Sequence, residues 1–190
     1  MQYRITLFSS GNGSNVENII EYFKGSKIIR IEMVICNNEK AFVIQRVKKY
    51  NIPIKIISNS TLKNNDLFFC LKRSKTTHII LAGFMNLIPK SIINYYKNKI
   101  INIHPSLLPK YGGKGFHGEN VHKAVLYSGD KRSGITIHIV NEEYDKGKII
   151  FQKLIIINND ETLESLSSKI HDLEYKYFPQ IIEKYILNKL

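Results

Sequence analysis

A chain of 190 residues, 43% of them hydrophobic, is long enough for one domain that buries roughly 70% of its unfolded surface. It has no run of about 18 apolar residues, and its start, Met1-Gln2-Tyr3-Arg4-Ile5, lacks a basic segment, an apolar core and a cleavage site, so neither a membrane span nor a signal peptide is expected. The net charge of +12 would suit nucleic acid, but 23 of the 28 basic residues are scattered Lys, the excess of Lys, Ile and Asn matches the codon bias of an AT-rich genome, and no RNP, zinc-finger or helix-turn-helix pattern is present, so nucleic-acid binding is not expected.

The predicted elements alternate. Tyr3–Ser9 reads as a buried strand, Ser10–Ser14 as a Gly-rich turn, and Asn15–Phe23 as a helix with Val16, Ile19, Ile20 and Phe23 at helical spacing. Strands follow at Ile28–Cys36, Ile54–Ile57, His78–Ala82 and Ile100–Ile103. Helices follow at Ala41–Tyr50, Leu62–Lys72 and Pro89–Tyr96, the last opened by Pro in its first turn. From Ser133 the texture changes: Gly134–Val140 and Ile149–Ile157 form a strand pair around an acidic turn, and Leu163–Leu187 is a closing helix with a bend near Pro179. The pattern predicts an α/β fold: an open, mainly parallel, Rossmann-like twisted sheet with helices on both faces and antiparallel C-terminal strands. No linker or repeat divides it, so residues 1–190 read as a single domain. Cys36 and Cys70 sit in apolar runs without a CxxC or Cys/His cluster; both read as reduced core residues, which favours the cytoplasm.

In open α/β sheets ligands bind beyond the carboxyl ends of the strands. Four segments fall there: 10–15, 83–86, 102–109 and 140–147. In Ser10-Gly11-Asn12-Gly13-Ser14-Asn15, glycines let the backbone approach an anion and a helix N-terminus offers N–H groups; the plain alternative is a tight turn with a Ser or Asn cap. No Lys follows and GxGxxG is incomplete, which argues against a nucleoside triphosphate or dinucleotide loop. Gly83-Phe84-Met85-Asn86 is either a slot for a flat ring or a buried strand end. Asn102 and His104, at i and i+2 of an extended segment, point to one side and so can converge on one reacting atom, while Asp145 supplies a carboxylate for the imidazole. An amide donor, a histidine and an acid suit acyl chemistry through a tetrahedral oxyanion, although each has a structural explanation as well. His117, His122 and His138 form no metal-ligand pattern with His104, so no metal is expected.

Ser-Gly-Asn-Gly-Ser-Asn at 10–15, Leu-Ala-Gly-Phe-Met at 81–85, Asn-Ile-His-Pro-Ser-Leu-Leu-Pro at 102–109 and Asp-Lys-Gly at 145–147 resemble the folate-dependent formyltransferases, and among them the phosphoribosylglycinamide formyltransferases of purine biosynthesis. The resemblance runs along essentially the whole chain, in order. It implies 10-formyltetrahydrofolate as co-substrate, 5'-phosphoribosylglycinamide as acceptor, and a monomer or homodimer without metal or nucleic-acid partner. By position, it implies that Gly13, Ser14 and Asn15 hold the ribose phosphate. Phe84, Met85, Asn86, Leu87 and Ile88, with Val140, Asn141, Glu142, Glu143, Tyr144 and Asp145, line the folate site, which Asn102 also touches. Asn102, His104 and Asp145 are the catalytic trio, and Glu174 contacts the glycinamide part.

The chain departs from the pattern in three places. Asn86 stands where familiar members often carry Arg after Phe-Met. The Tyr111–Gly118 loop is longer than in many members. An Arg expected near the folate glutamate tail has Lys63 as its nearest stand-in. The related activities are methionyl-tRNA formyltransferase, expected to carry a further C-terminal RNA-binding domain, and formyltetrahydrofolate hydrolase, expected to carry an N-terminal regulatory domain. A basic RNA-binding α/β module is the alternative of another class.

Overall fold

The computed structural model describes residues 2–63 and 65–190, with the side chains of Asn59 and Lys63 outside that description. The chain forms two compact units, residues 1–101 and 102–190. Seven strands hydrogen-bond in the order β3-β2-β1-β4-β5-β6-β7, a mixed, mostly parallel sheet with an antiparallel pair at its C-terminal side.

In the first unit, β1 (Tyr3–Ser9) pairs in parallel with β2 (Ile29–Cys36) and β4 (His78–Leu81), and β2 pairs in parallel with β3 (Ile54–Ile56). Strands covered on both faces read as unbroken apolar runs. This is why Ile5, Leu7 and Phe8 of β1 and all four residues of β4 are buried. The amphipathic α1 (Ser14–Phe23) buries Val16, Ile19, Ile20 and Phe23, the stripe its spacing predicts. Around these lie α2 (Val43–Lys48), α3 (Asn59–Lys63), α4 (Asp66–Arg73) and α5 (Lys90–Tyr95). The single helix expected over 62–72 is therefore two. The second starts after Asn65, whose φ of −82° and ψ of 3° are not helical. Pro89 is the N-cap of α5 rather than its first residue. Cys36 is buried and Cys70 half-buried, and both are free thiols.

β5 (Ile100–His104) leads into the second unit. There α6 (Glu119–Tyr127) precedes β6 (Arg132–Ile139), which pairs antiparallel with β7 (Ile149–Ile156). The chain ends in α7 (Leu163–Ile186), capped by Thr162 Oγ1, which accepts the Ser165 N–H at 3.1 Å; the helix runs unbroken through the buried Pro179. Its buried Leu166, Ile170, Phe178 and Ile182 form the core of this unit with Val121, Val125, Ile135 and Ile137. The sequence reading did not anticipate α6. Its inward face is only Val121, His122 and Val125, too short a stripe to stand out behind a Gly-rich loop. No helix among the described residues is long and apolar enough to cross a membrane.

Candidate active site

In the first unit, the loop after β1 closes on α1 through Gly13, which sits at φ 77°, ψ 18° as the N-cap. No side chain caps this helix, so the Ser or Asn cap that the sequence offers as the plain alternative is absent. Ser14 is instead its first residue, and the first intrahelical bond runs from Glu17 N–H to Gly13 O at 3.0 Å. Gly13 is required twice. Its backbone is left-handed, and a Cβ there would fall 2.4 Å from the Val43 Cβ. The side chain of a larger residue would thus run into α2 rather than into an anion at the helix end, which corrects the simplest reading of this glycine.

The structure brings the 83–86 segment onto the same loop. Ser10 N–H donates to Gly83 O at 2.9 Å, and Ser10 Oγ accepts the Met85 N–H at 2.9 Å. Phe84 packs edge-on against Phe8, with ring centroids 5.2 Å apart, so it belongs partly to the core. Met85 and Leu87 remain 47% and 43% exposed, whereas Ile88 is buried. A Cβ added at Gly83 would meet nothing within 4 Å. Met85 and Leu87 thus present two exposed apolar side chains beside a glycine with open space around it. Asn86 is half-buried. Lys63 ends α3, and its side chain lies outside the described residues.

In the second unit, the structure brings Asn102, His104 and Asp145 together and adds His138. Asn102 Nδ2 donates to His138 Nε2 at 3.1 Å and, at a long 3.4 Å, to Asp145 Oδ1. The amide orientation follows from chemistry: an ionised carboxylate only accepts, so the nitrogen faces it. His138 Nδ1–H donates to Ile139 O at 3.0 Å, which leaves Nε2 as the acceptor that Asn102 needs. The sequence pattern gives His138 no place in this cluster, since its spacing from the other histidines speaks only to a metal set. Its signal was period two: Thr136 and His138 share one side of β6.

His104 is 96% buried at the side chain, since it retains 4% exposure. Its Nε2–H donates to Tyr111 O at 2.7 Å, and Nδ1 lies 3.5 Å from Asp145 Oδ2. Burial pushes its pKa below the usual imidazole range. The Asp145 carboxylate and the Tyr111 carbonyl oppose this without overcoming it, and His138 adds to the lowering. A resting, protonated His104 is thus not favoured, contrary to the simplest oxyanion reading. For Asp145, burial raises the pKa, but the His138 and His104 rings beside it and the Gly113 N–H outweigh that and hold the carboxyl below its usual value. Gly113 N–H reaches Asp145 Oδ2 at 3.0 Å.

The 140–147 loop is held from within. Asn141 Oδ1 accepts the Glu143 N–H at 3.0 Å, its Nδ2 donates to Lys146 O at 3.2 Å, and Asp145 takes a φ of 56°. Gly147 has no alternative: a Cβ there would lie 1.5 Å from Ile139 O. Val140 and Tyr144 are half-buried, and Glu142 and Glu143 are exposed. Below the loop, Thr136 Oγ1 donates to Ser106 O at 2.6 Å and accepts the Leu108 N–H at 3.0 Å, which fixes the 102–109 segment on β6. Glu174 is buried on α7. Among the described residues, no group of three or more His, Cys, Asp or Glu side chains is placed to hold a metal ion.

Residues 3–182 match the formyl transferase family profile. The phosphoribosylglycinamide formyltransferase of Bacillus subtilis is 36% identical over 187 residues, which cover 95% of this chain and 93% of that protein. The chloroplastic phosphoribosylglycinamide formyltransferase of Vigna unguiculata is 34% identical over 186 residues; the match covers 95% of this chain but only 60% of the length of the plant protein. Among solved structures, the phosphoribosylglycinamide formyltransferase of Anaplasma phagocytophilum superposes with a TM-score of 0.89 at 32% identity, covering 100% of this chain and 89% of that one.

Proposed function

The chain belongs to the formyl transferase family, and from that premise we propose that it transfers a formyl group from 10-formyltetrahydrofolate to the amine of 5'-phosphoribosylglycinamide. The observation that carries the reading is the Asn102–His138–Asp145–His104 cluster, an amide donor and a buried imidazole sharing one carboxylate. The phosphoribosylglycinamide formyltransferases of B. subtilis and A. phagocytophilum, to which the chain is similar, support the choice of acceptor.

The formyl donor supplies an activated carbonyl. The acceptor amine forms a C–N bond to the formyl carbon, the carbonyl oxygen takes the negative charge, and the old C–N bond to the folate breaks as that nitrogen receives a proton. Asn102 would donate Nδ2–H to the oxyanion, releasing its long contact with Asp145. Asp145, freed of that donor, would then favour a proton on the Nδ1 of His104 that faces it. His104 would take this proton from the attacking amine, present a positive charge to the oxyanion, and give the proton to the departing folate nitrogen as the carbonyl re-forms. His138 would keep the Asn102 amide correctly turned.

For binding, Gly13, Ser14 and Asn15 would hold the phosphate at the N-terminus of α1. Met85 and Leu87, with the backbone of 84–88 and 140–145, would hold the folate ring, and Glu174 the glycinamide amine. Proximity of the two reactants would supply much of the acceleration. The purine-synthesis setting suggests the cytoplasm. The experiment is product identification by mass spectrometry with three acceptors offered in parallel: 5'-phosphoribosylglycinamide, initiator methionyl-tRNA and water. Formylated nucleotide is the expected product. Formyl-methionyl-tRNA, or formate alone, would assign the chain to a related activity instead.

A further inference from the structure

Arg46 of α2 reaches the loop that precedes α1. Its Nε donates to Asn12 O at 3.0 Å, its Nη2 donates to Asn12 Oδ1 at 2.8 Å, and its Nη1 pairs with the Glu17 carboxylate. All three nitrogens of one planar group are thus committed to two places, the residue between Gly11 and Gly13 and the first turn of α1. The neighbouring residues of α2 hold the same loop. Val43 N–H donates to Gly11 O at 3.1 Å, and Val43 fills the space where Gly13 would carry a Cβ. Phe42 stacks under the guanidinium, 4.9 Å from ring centroid to Cζ.

Glu17 makes the arrangement informative. A carboxylate in the first turn suits the helix dipole, but it opposes any second anion at the same helix end. Here Glu17 is paired with both Arg46 and Lys49 and accepts the Tyr50 hydroxyl at 3.1 Å. Two cations face one carboxylate, so the local charge behind the loop is positive. A lysine at 46 would retain the charge but could not give Asn12 two donors from a rigid fork.

We infer that Arg46 is a positioning residue for the acceptor's phosphate, acting through Asn12 to hold the Gly11–Gly13 backbone in its anion-binding shape. The inference rests on the proposed phosphate role of this loop. Neither the sequence pattern nor the family resemblance assigns Arg46 a role.

The test is calorimetric titration of 5'-phosphoribosylglycinamide, of its dephosphorylated riboside and of the folate co-substrate, with steady-state kinetics alongside. Arg46→Gln should weaken the phosphorylated acceptor about 10- to 100-fold, as loss of charge-assisted hydrogen bonds does. The riboside, the folate and kcat at saturation should be nearly unchanged. Arg46→Lys should recover only part of the loss, and Arg46→Gln/Glu17→Gln should recover little. Full recovery in that double variant would make Arg46 a mere counter-ion and overturn the inference, as would equal losses for all three ligands. Should Arg46→Gln fold poorly, Asn12→Gly removes the Oδ1 contact from the other side and should show the same selective loss. A wild-type protein that binds nucleotide and riboside equally would sink the phosphate role of the loop itself. A wild-type preference for the nucleotide that Arg46→Gln and Asn12→Gly both retain would sink only the inference.

Discussion

Asp145 Oδ2 faces His104 Nδ1 at 3.5 Å while the other nitrogen of the ring is already committed to the Tyr111 carbonyl at 2.7 Å. The neutral ring therefore turns a lone pair toward a carboxylate, an arrangement that improves when Nδ1 gains a proton. Burial lowers the His104 pKa and Asp145 raises it. Asp145→Asn removes the raising influence and leaves burial in place, so the His104 midpoint should move further down. Ring-nitrogen NMR across pH measures it; an unchanged or higher midpoint would contradict the electrostatic link.

Asn102 is half-buried and holds no core position, so its removal should spare the fold. Asn102→Ala should lower kcat by about 10²–10³, the usual cost of one oxyanion donor, with little change in thermal midpoint. His138→Phe should lower kcat in the same direction, because the amide loses the acceptor that orients it. Turnover near the wild-type value in folded Asn102→Ala would remove the amide from the chemistry.

Acid stability should reflect two buried imidazoles outside the trio, His78 and His122, the second of which also feels the His104 charge. Burial pushes His78 down to about 4, with the Lys99 charge adding to it, and pushes His122 down to about 4, with the His171 charge adding to it. Both stay neutral in the folded chain where the unfolded chain already binds protons. Stability is then full above the unfolded pKa of about 6.5 and is lost as pH falls toward about 4, on the order of 3 kcal/mol per group at the limit. Urea titrations at several pH values should show this slope, and His122→Asn should make it shallower. A slope unchanged in that variant would exclude His122 as a source.

The sheet was legible because parallel strands covered on both faces leave long apolar runs, as in Ile79–Ile80–Leu81, and α1 because its stripe has helical spacing. Asn102 and His104 were legible from strand period alone. The contacts that settle their chemistry were not. Tyr111 reaches His104 through a backbone carbonyl, which no side-chain pattern encodes. His138 reaches Asn102 from 36 residues away, on another strand. Arg46 was invisible for the same reason, since its partners Asn12 and Glu17 lie 34 and 29 residues back along the chain. A Ser or Asn cap for α1 is the alternative the sequence offers, since Ser14 and Asn15 satisfy the usual preference, but the collision with Val43 demands glycine one position earlier.

Gly13 and Gly83 offer a matched pair. Their φ values are 77° and 78°, yet a Cβ at Gly13 meets Val43 at 2.4 Å and one at Gly83 meets nothing within 4 Å. Gly83→Ala should cost only the left-handed backbone penalty, about 1–2 kcal/mol. Gly13→Ala should cost clearly more, because α2 has to move. Chemical denaturation of both variants compares them, and equal losses would mean that Val43 does not buttress the loop.

The central claim is that the formyl group goes to a nucleotide amine and not to water. The direct measurement is a single reaction containing 10-formyltetrahydrofolate and 5'-phosphoribosylglycinamide, followed for tetrahydrofolate released and formylated nucleotide formed. The expected ratio is near one, with tetrahydrofolate release nearly abolished when the acceptor is left out. Tetrahydrofolate released at the same rate with or without the nucleotide, and no formylated nucleotide, would contradict it.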